Sequence, residues 1–138
     1  VQGKTINLLG KMDQPHSFSY TPDFGKLLAA LGTHDEALGQ AWFTPSPAAV
    51  TQAEFVSMLE SELGHKVKFL AAGTNMMRFL GLFNPMMRET VEMMYEWNQP
   101  FVVDTRKAEQ AFGWSGTPLK QAIRETVAWV REDLARVQ

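Results

Sequence analysis

Two arginines bracketing a run of methionines offer the most direct chemistry in this sequence. Arg78 and Arg88 lie within residues 74–97, which also hold Met76, Met77, Met86, Met87, Met93 and Met94. A guanidinium pair beside an apolar wall can hold a phosphate or carboxylate bidentately. Thioether side chains adapt to irregular apolar ligands, so the methionines would form a flexible wall or lid. The same residues have a plainer reading. Met87, Val91 and Met94 share one helical face, which describes ordinary core packing, and the arginines then sit solvated on helix exteriors.

Other reactive types are isolated. His16, His34 and His65 lie far apart, and none has a partner at the spacing that lets one helix hold a metal. His34-Asp35-Glu36 reads as a solvated turn unless another carboxylate folds beside it. Asp13 and Asp23 show no acid–base partner. Asp23 sits in the first turn of a predicted helix, where its charge meets the helix dipole favourably. Neither Tyr20 nor Tyr95 is followed by Lys four residues later; those positions are Phe24 and Gln99. No dinucleotide loop, Walker-type phosphate loop or nucleophile elbow occurs. The absence of cysteine excludes disulfides and thiolate catalysis and makes a reducing compartment the default.

The elements that must position these residues are well marked. KTINLL (4–9) reads as a strand closed by Gly10, and HSFSY (16–20) alternates as a half-buried strand does. Thr21 is expected to cap a helix with Pro22 in its first turn and Gly32 at its end. Phe24, Leu27, Leu28 and Leu31 share a face of it. AWF (41–43), VKFLA (67–71) and FVVD (101–104) read as short strands. Thr51 and Glu54 form a capping box for a helix that Gly64 stops. Asn84-Pro85 divides the methionine stretch into two helices. Thr105 is expected to cap a short helix ending at Gly113. Thr117-Pro118 opens a last helix striped by Leu119, Ile123, Val127, Val130, Leu134 and Val137.

Composition bounds the rest. Of 138 residues, 45% are hydrophobic, enough for one packed domain, and the net charge of −2 with scattered basic residues gives no nucleic-acid surface. No apolar run reaches the length of a membrane span. Long helices and short, separated strands predict an α+β fold, mostly helical, with the strands in small sheets. The abrupt start, VQGKTINLLG, suggests a chain cut from something longer.

Three segments carry a resemblance. FVVDTRKAEQAFGWSGTPLKQAIRETVAWVRE, with Asp104, Lys107, Gly113-Trp114 and Thr117-Pro118-Leu119, resembles the closing segment of extended or atypical short-chain dehydrogenase/reductases, the NAD-dependent epimerase/dehydratase family. HSFSYTPDFGKLLAAL resembles the family's segment built around a characteristic Asp, here Asp23. GQAWFTPSPAAVTQAEFVSMLESELG resembles the segment that follows it. The three occur in the family's order and span nearly the whole chain.

The resemblance implies that residues 1–138 are a single substrate-binding domain, packed on a Rossmann domain outside this chain. That domain would bind NAD or NADP and carry the Tyr-x-x-x-Lys pair, leaving no catalytic residue here. The substrate would be a nucleotide sugar or another hydroxyl or carbonyl compound. It would touch His16, Arg78 and Arg88, with Met76, Met77 and Met87 as its apolar wall. His16 stands where sugar-nucleotide members often have Arg, and a neutral imidazole is a poorer phosphate clamp, which points to a less polar substrate. A different reading is a stand-alone module that uses the methionine face for a ligand or a protein. Either reading expects self-association through exposed apolar surface, no membrane or nucleic-acid partner, and a cytoplasmic location.

Overall fold

The computed structural model describes residues 5–136. In chain order the elements are β1 (Ile6–Leu9), β2 (Pro15–His16), α1 (Thr21–Leu31), β3 (Val50–Thr51), α2 (Gln52–Leu63), β4 (Phe69–Ala72), α3 (Thr74–Gly81), α4 (Pro85–Asn98), α5 (Arg106–Phe112) and α6 (Leu119–Arg136). A short 3-10 turn covers Asp35–Ala37. The strands form two small sheets. β1 pairs in parallel with β4, Ile6 opposite Phe69 through Leu9 opposite Ala72. β2 pairs antiparallel with β3. The architecture is α+β and mostly helical, as the pattern of long helices and separated strands predicts.

Local signals set most helix ends. At α2 the Thr51 side chain accepts from the Glu54 N–H while Glu54 accepts from the Thr51 N–H, so two orphan donors are satisfied at once. Gly64 ends that helix at φ 75°, a left-handed turn that costs glycine nothing. Asn84 caps α4 by accepting from the Met86 N–H. Two expected caps differ. Tyr20, not Thr21, occupies the cap of α1 and supplies no side-chain bond. Thr105 stands at the cap of α5, but its hydroxyl donates to Glu109 instead of receiving a backbone N–H.

Three expected strands are cut back. Of HSFSY only His16 joins a strand, and residues 41–43 form none. In FVVD only Phe101 pairs, through one parallel bridge to His16. A strand exists only where another backbone lies alongside. Here the Phe101 carbonyl accepts from the Ser17 N–H, and the Val103 N–H then turns to the Ser17 hydroxyl, which ends the ladder.

The core is assembled from small clusters. Ala72, Met77 and Met94 bury one another, with Leu9, Met87 and Val91 packed around them. Removing a side chain the size of Met94 from water stabilises by about 2 kcal/mol. α6 lays Ala122, Ile123 and Val127 inward and packs against α2. Its expected stripe continues half-buried through Leu134, and Val137 lies outside the described residues. On α1 the expected apolar face is only partly used: Leu27 is 2% exposed, but Phe24 and Leu28 are 50% and 54% exposed. Asp23 and Leu27, four apart, face the fold together, and the bonds made by Asp23 fix that rotation. Gly10 has φ 70°, and a Cβ there would fall 2.5 Å from the Trp97 Cβ, so the link from β1 to the end of α4 admits no larger residue.

Candidate functional site

Asp23 anchors the region with the most specific geometry. It lies in the first turn of α1, buried, and its carboxylate accepts the Thr117 N–H at 2.7 Å and the Thr117 hydroxyl at 2.9 Å. Thr117 precedes Pro118 and the start of α6, so the bonds clasp two helix beginnings together. Gly116, beside Thr117, lets this segment lie against residues 45–46. A Cβ there would sit 2.6 Å from the Pro45 carbonyl oxygen and from the Ser46 Cα.

Two further polar ties flank the clasp. The Tyr20 hydroxyl donates to Glu125 of α6 at 2.8 Å. That bond raises the Tyr20 pKa above its ordinary 10.0, because deprotonation would lose the donor and place two negative charges together. Glu125 also accepts from Gln121, and the Gln121 and Tyr20 bonds hold its carboxyl below the usual Glu value. The Ser19 and Ser46 hydroxyls meet at 2.9 Å.

Beneath these ties lies a cavity of about 350 Å³. Its walls are apolar: Phe18 stacked on Phe55 with ring centroids 4.7 Å apart, Leu59 of α2, and Leu119, Ile123 and Val127 of α6. Ser19, Tyr20, Thr21, Thr117 and Thr126 also line it. A mostly apolar pocket of this size with a few convergent polar groups is the usual form of a small-molecule site.

None of the six residues singled out in the sequence lines this cavity. His16, expected to touch substrate, is held as a structural pin. It is 5% exposed, its Nδ1 lies 3.0 Å from the Gln14 carbonyl, and its Nε2 lies 2.8 Å from the Glu96 carbonyl. Its ring stacks on Trp97, so no polar atom is left for a ligand. Met77 is a core residue, and Met87 packs against the same cluster. Met76 is exposed on α3. The methionine wall is therefore divided between core and surface. Arg78 and Arg88 are both exposed. Among the described residues Arg88 reaches only the neighbouring Glu89, at 3.5 Å with both side chains about 70% exposed, an arrangement worth little. The two helices approach closely at Gly81, where a Cβ would lie 3.0 Å from the Arg88 Cα. Past that point their tip exposes Phe79, Leu82, Phe83 and Met86.

The remaining histidines are accounted for locally. His34 Nδ1 lies 2.8 Å from the Ala30 carbonyl at the end of α1, and its ring meets the edge of Phe112. Among the described residues no three metal-ligating side chains converge. The hydroxyls around the cavity escaped the sequence reading because single Ser, Tyr and Thr residues carry no spacing signal. The signal that was available is the pairing of Tyr20-Thr21-Pro22 with Gly116-Thr117-Pro118, two polar helix starts of the same form. In comparisons with known proteins, no family model matches the chain and no curated protein matches it.

Proposed function

We propose that this chain is the substrate-binding part of an NAD(P)-dependent epimerase, dehydratase or reductase, acting on a hydroxyl or carbonyl compound such as a nucleotide sugar. One observation carries the reading: the Asp23–Thr117 clasp joins the first and last of the three segments that resemble that family, across 94 residues. Segments that follow the family's order and also bind one another behave as one evolved unit.

The exposed apolar faces support it. Phe24 and Leu28 on α1, and the α3–α4 tip, are suited to lie against a second domain. The residues present do not fit a dinucleotide. β1 and β4 are each followed by a single glycine, Gly10 and Gly73, where a pyrophosphate loop needs several. NAD or NADP is therefore assigned to the partner Rossmann domain, where it would supply the hydride. This chain's share is to orient substrate and exclude water. A cysteine-free chain suits the reducing cytoplasm, where we locate it.

The test is the intact mass of the native product from its source cells. A polypeptide of about 300 residues, with a Gly-rich loop and a Tyr-x-x-x-Lys pair upstream, is expected. A native product of these 138 residues alone would overturn the reading. The isolated chain is expected to show no turnover with either nicotinamide cofactor. A second reading, a stand-alone binding module, would use the same exposed tip, where Leu82 and Phe83 are 76% and 78% exposed.

A further inference from the structure

We propose that the cavity between residues 18–21, α2 and α6 binds a small, uncharged, largely apolar alcohol or phenol. The inference rests on the chain being a small-molecule-binding domain, but not on its cofactor, and within the proposed substrate class it selects an uncharged hydroxyl compound over a nucleotide sugar. Hydroxyl directions decide the headgroup. A carbonyl only accepts, so Ser46 donates to the Thr44 carbonyl at 3.0 Å, and Ser19 must then donate to Ser46. Tyr20 donates to Glu125, Thr117 to Asp23, and Thr126 to the Ala122 carbonyl at 2.7 Å. Four of the five lining hydroxyls have thus committed their hydrogens to the protein. They offer a ligand only oxygen lone pairs. Thr21 is the exception, with no partner among the described residues. A ligand that brings its own O–H can bond several of these oxygens, whereas an ether or ketone can only accept from Thr21.

Charge narrows the class further. Among the described residues no Lys, Arg or His lines the cavity, and the carboxylates of Asp23 and Glu125 lie behind Thr117 and Tyr20. A carboxylate or phosphate would meet repulsion with nothing to offset its desolvation. An ammonium would be drawn by the same charges but finds no carboxylate in the lining to bond, because Asp23 and Glu125 stand outside it. The aromatic and aliphatic walls take the apolar body. The cavity is a different place from the methionine tip, which it neither touches nor needs.

The experiment is a nitrogen-15 NMR titration of the full 138-residue chain with three probes of one shape: 2-naphthol, 2-methoxynaphthalene and 2-naphthoate. 2-Naphthol is expected to shift the amides of residues 18–21 and 117–127 saturably. It should bind about tenfold more tightly than the ether, the ratio for one net hydrogen bond. 2-Naphthoate should not bind. Ile123→Trp, which fills the cavity, should abolish the shifts. Should that variant fail to fold, Thr126→Val should weaken 2-naphthol and leave the ether unchanged. Equal affinity for 2-naphthol and 2-naphthoate, shifts confined to the α3–α4 tip, or no saturable shift at 18–21 would each overturn the proposal. The two readings can fail separately. A short native product that still binds 2-naphthol removes only the oxidoreductase reading, and a 300-residue product whose domain ignores 2-naphthol removes only this one.

Discussion

The clasped region around α1 and α6 and the hairpin of α3 and α4 are held by different physics. In the first, Asp23 bonds Thr117 and Tyr20 bonds Glu125, across 94 and 105 residues, through directional contacts between side chains of fixed length. In the second, neighbouring helices close on each other through Met77, Met94 and Ala72, with Gly81 set against Arg88. Methionines have several rotamers and no directional demand. The difference teaches where shape is specified. The clasp fixes the outline of a cavity, whereas the hairpin keeps a packed base under an adaptable apolar tip.

Substitutions can break this contrast. Met94→Ala should cost the most, about 3 kcal/mol in urea unfolding, through the cavity it leaves. Met94→Leu, similar in volume, should cost less than about 1.5 kcal/mol, because the hairpin tolerates reshaping. Asp23→Ala should cost about 2–3 kcal/mol by leaving the Thr117 N–H and hydroxyl without an acceptor in a half-buried place. Equal tolerance of Asp23→Asn and Met94→Leu would erase the distinction. Thr51→Ala, which removes half of the capping box, should cost about 1 kcal/mol. At the tip, Phe83→Ser should change stability by less than about 0.5 kcal/mol yet reduce self-association, read by sedimentation at high concentration.

Acid should weaken the surface more gently than any of these. The carboxyl of Asp104 is held down from 3.8 to about 2 by the Arg106 side chain, and that of Glu60 below its ordinary value first by Lys66 and then by the Val67 N–H. Glu54 is lowered by the Thr51 backbone and side chain. Each depressed carboxyl favours the folded state fully above its unfolded pKa. The contribution fades as pH falls through the folded one. The urea midpoint should therefore drop between about pH 5 and pH 2, and less so in high salt, because Asp104 and Glu54 are exposed. A midpoint that does not move over that range would show these contacts to be idle.

Helix ends were the most legible part of the sequence. The box at Thr51 and Glu54, the cap at Asn84 and the left-handed stops at Gly64 and Gly113 are written within a few residues of where they act. Strands were less so. Residues 41–43 and 102–104 have strand-like composition, but pairing depends on backbones distant in sequence, and none arrives. Asp23 shows the same limit in the site. Its place in a first turn is visible locally, but its partner Thr117 is not. His16 looked like a ligand-binding group and is a buried pin, because nothing near it in sequence announces Glu96 and Trp97.

The distances spanned by these partners also set an order of events. β1 waits for residues 69–72, His16 for Glu96 and Phe101, Asp23 for Thr117, and Tyr20 for Glu125. During synthesis residues 6–23 leave the ribosome before these partners do, and until then residues 50–55 of the later chain offer them contacts. Helices α2 and α4 carry their own caps and can begin to form meanwhile. Folding should therefore lag behind its helix content, as chains of high contact order do. In that interval a chaperone that meets this chain would meet residues 6–23 before their distant partners have joined them.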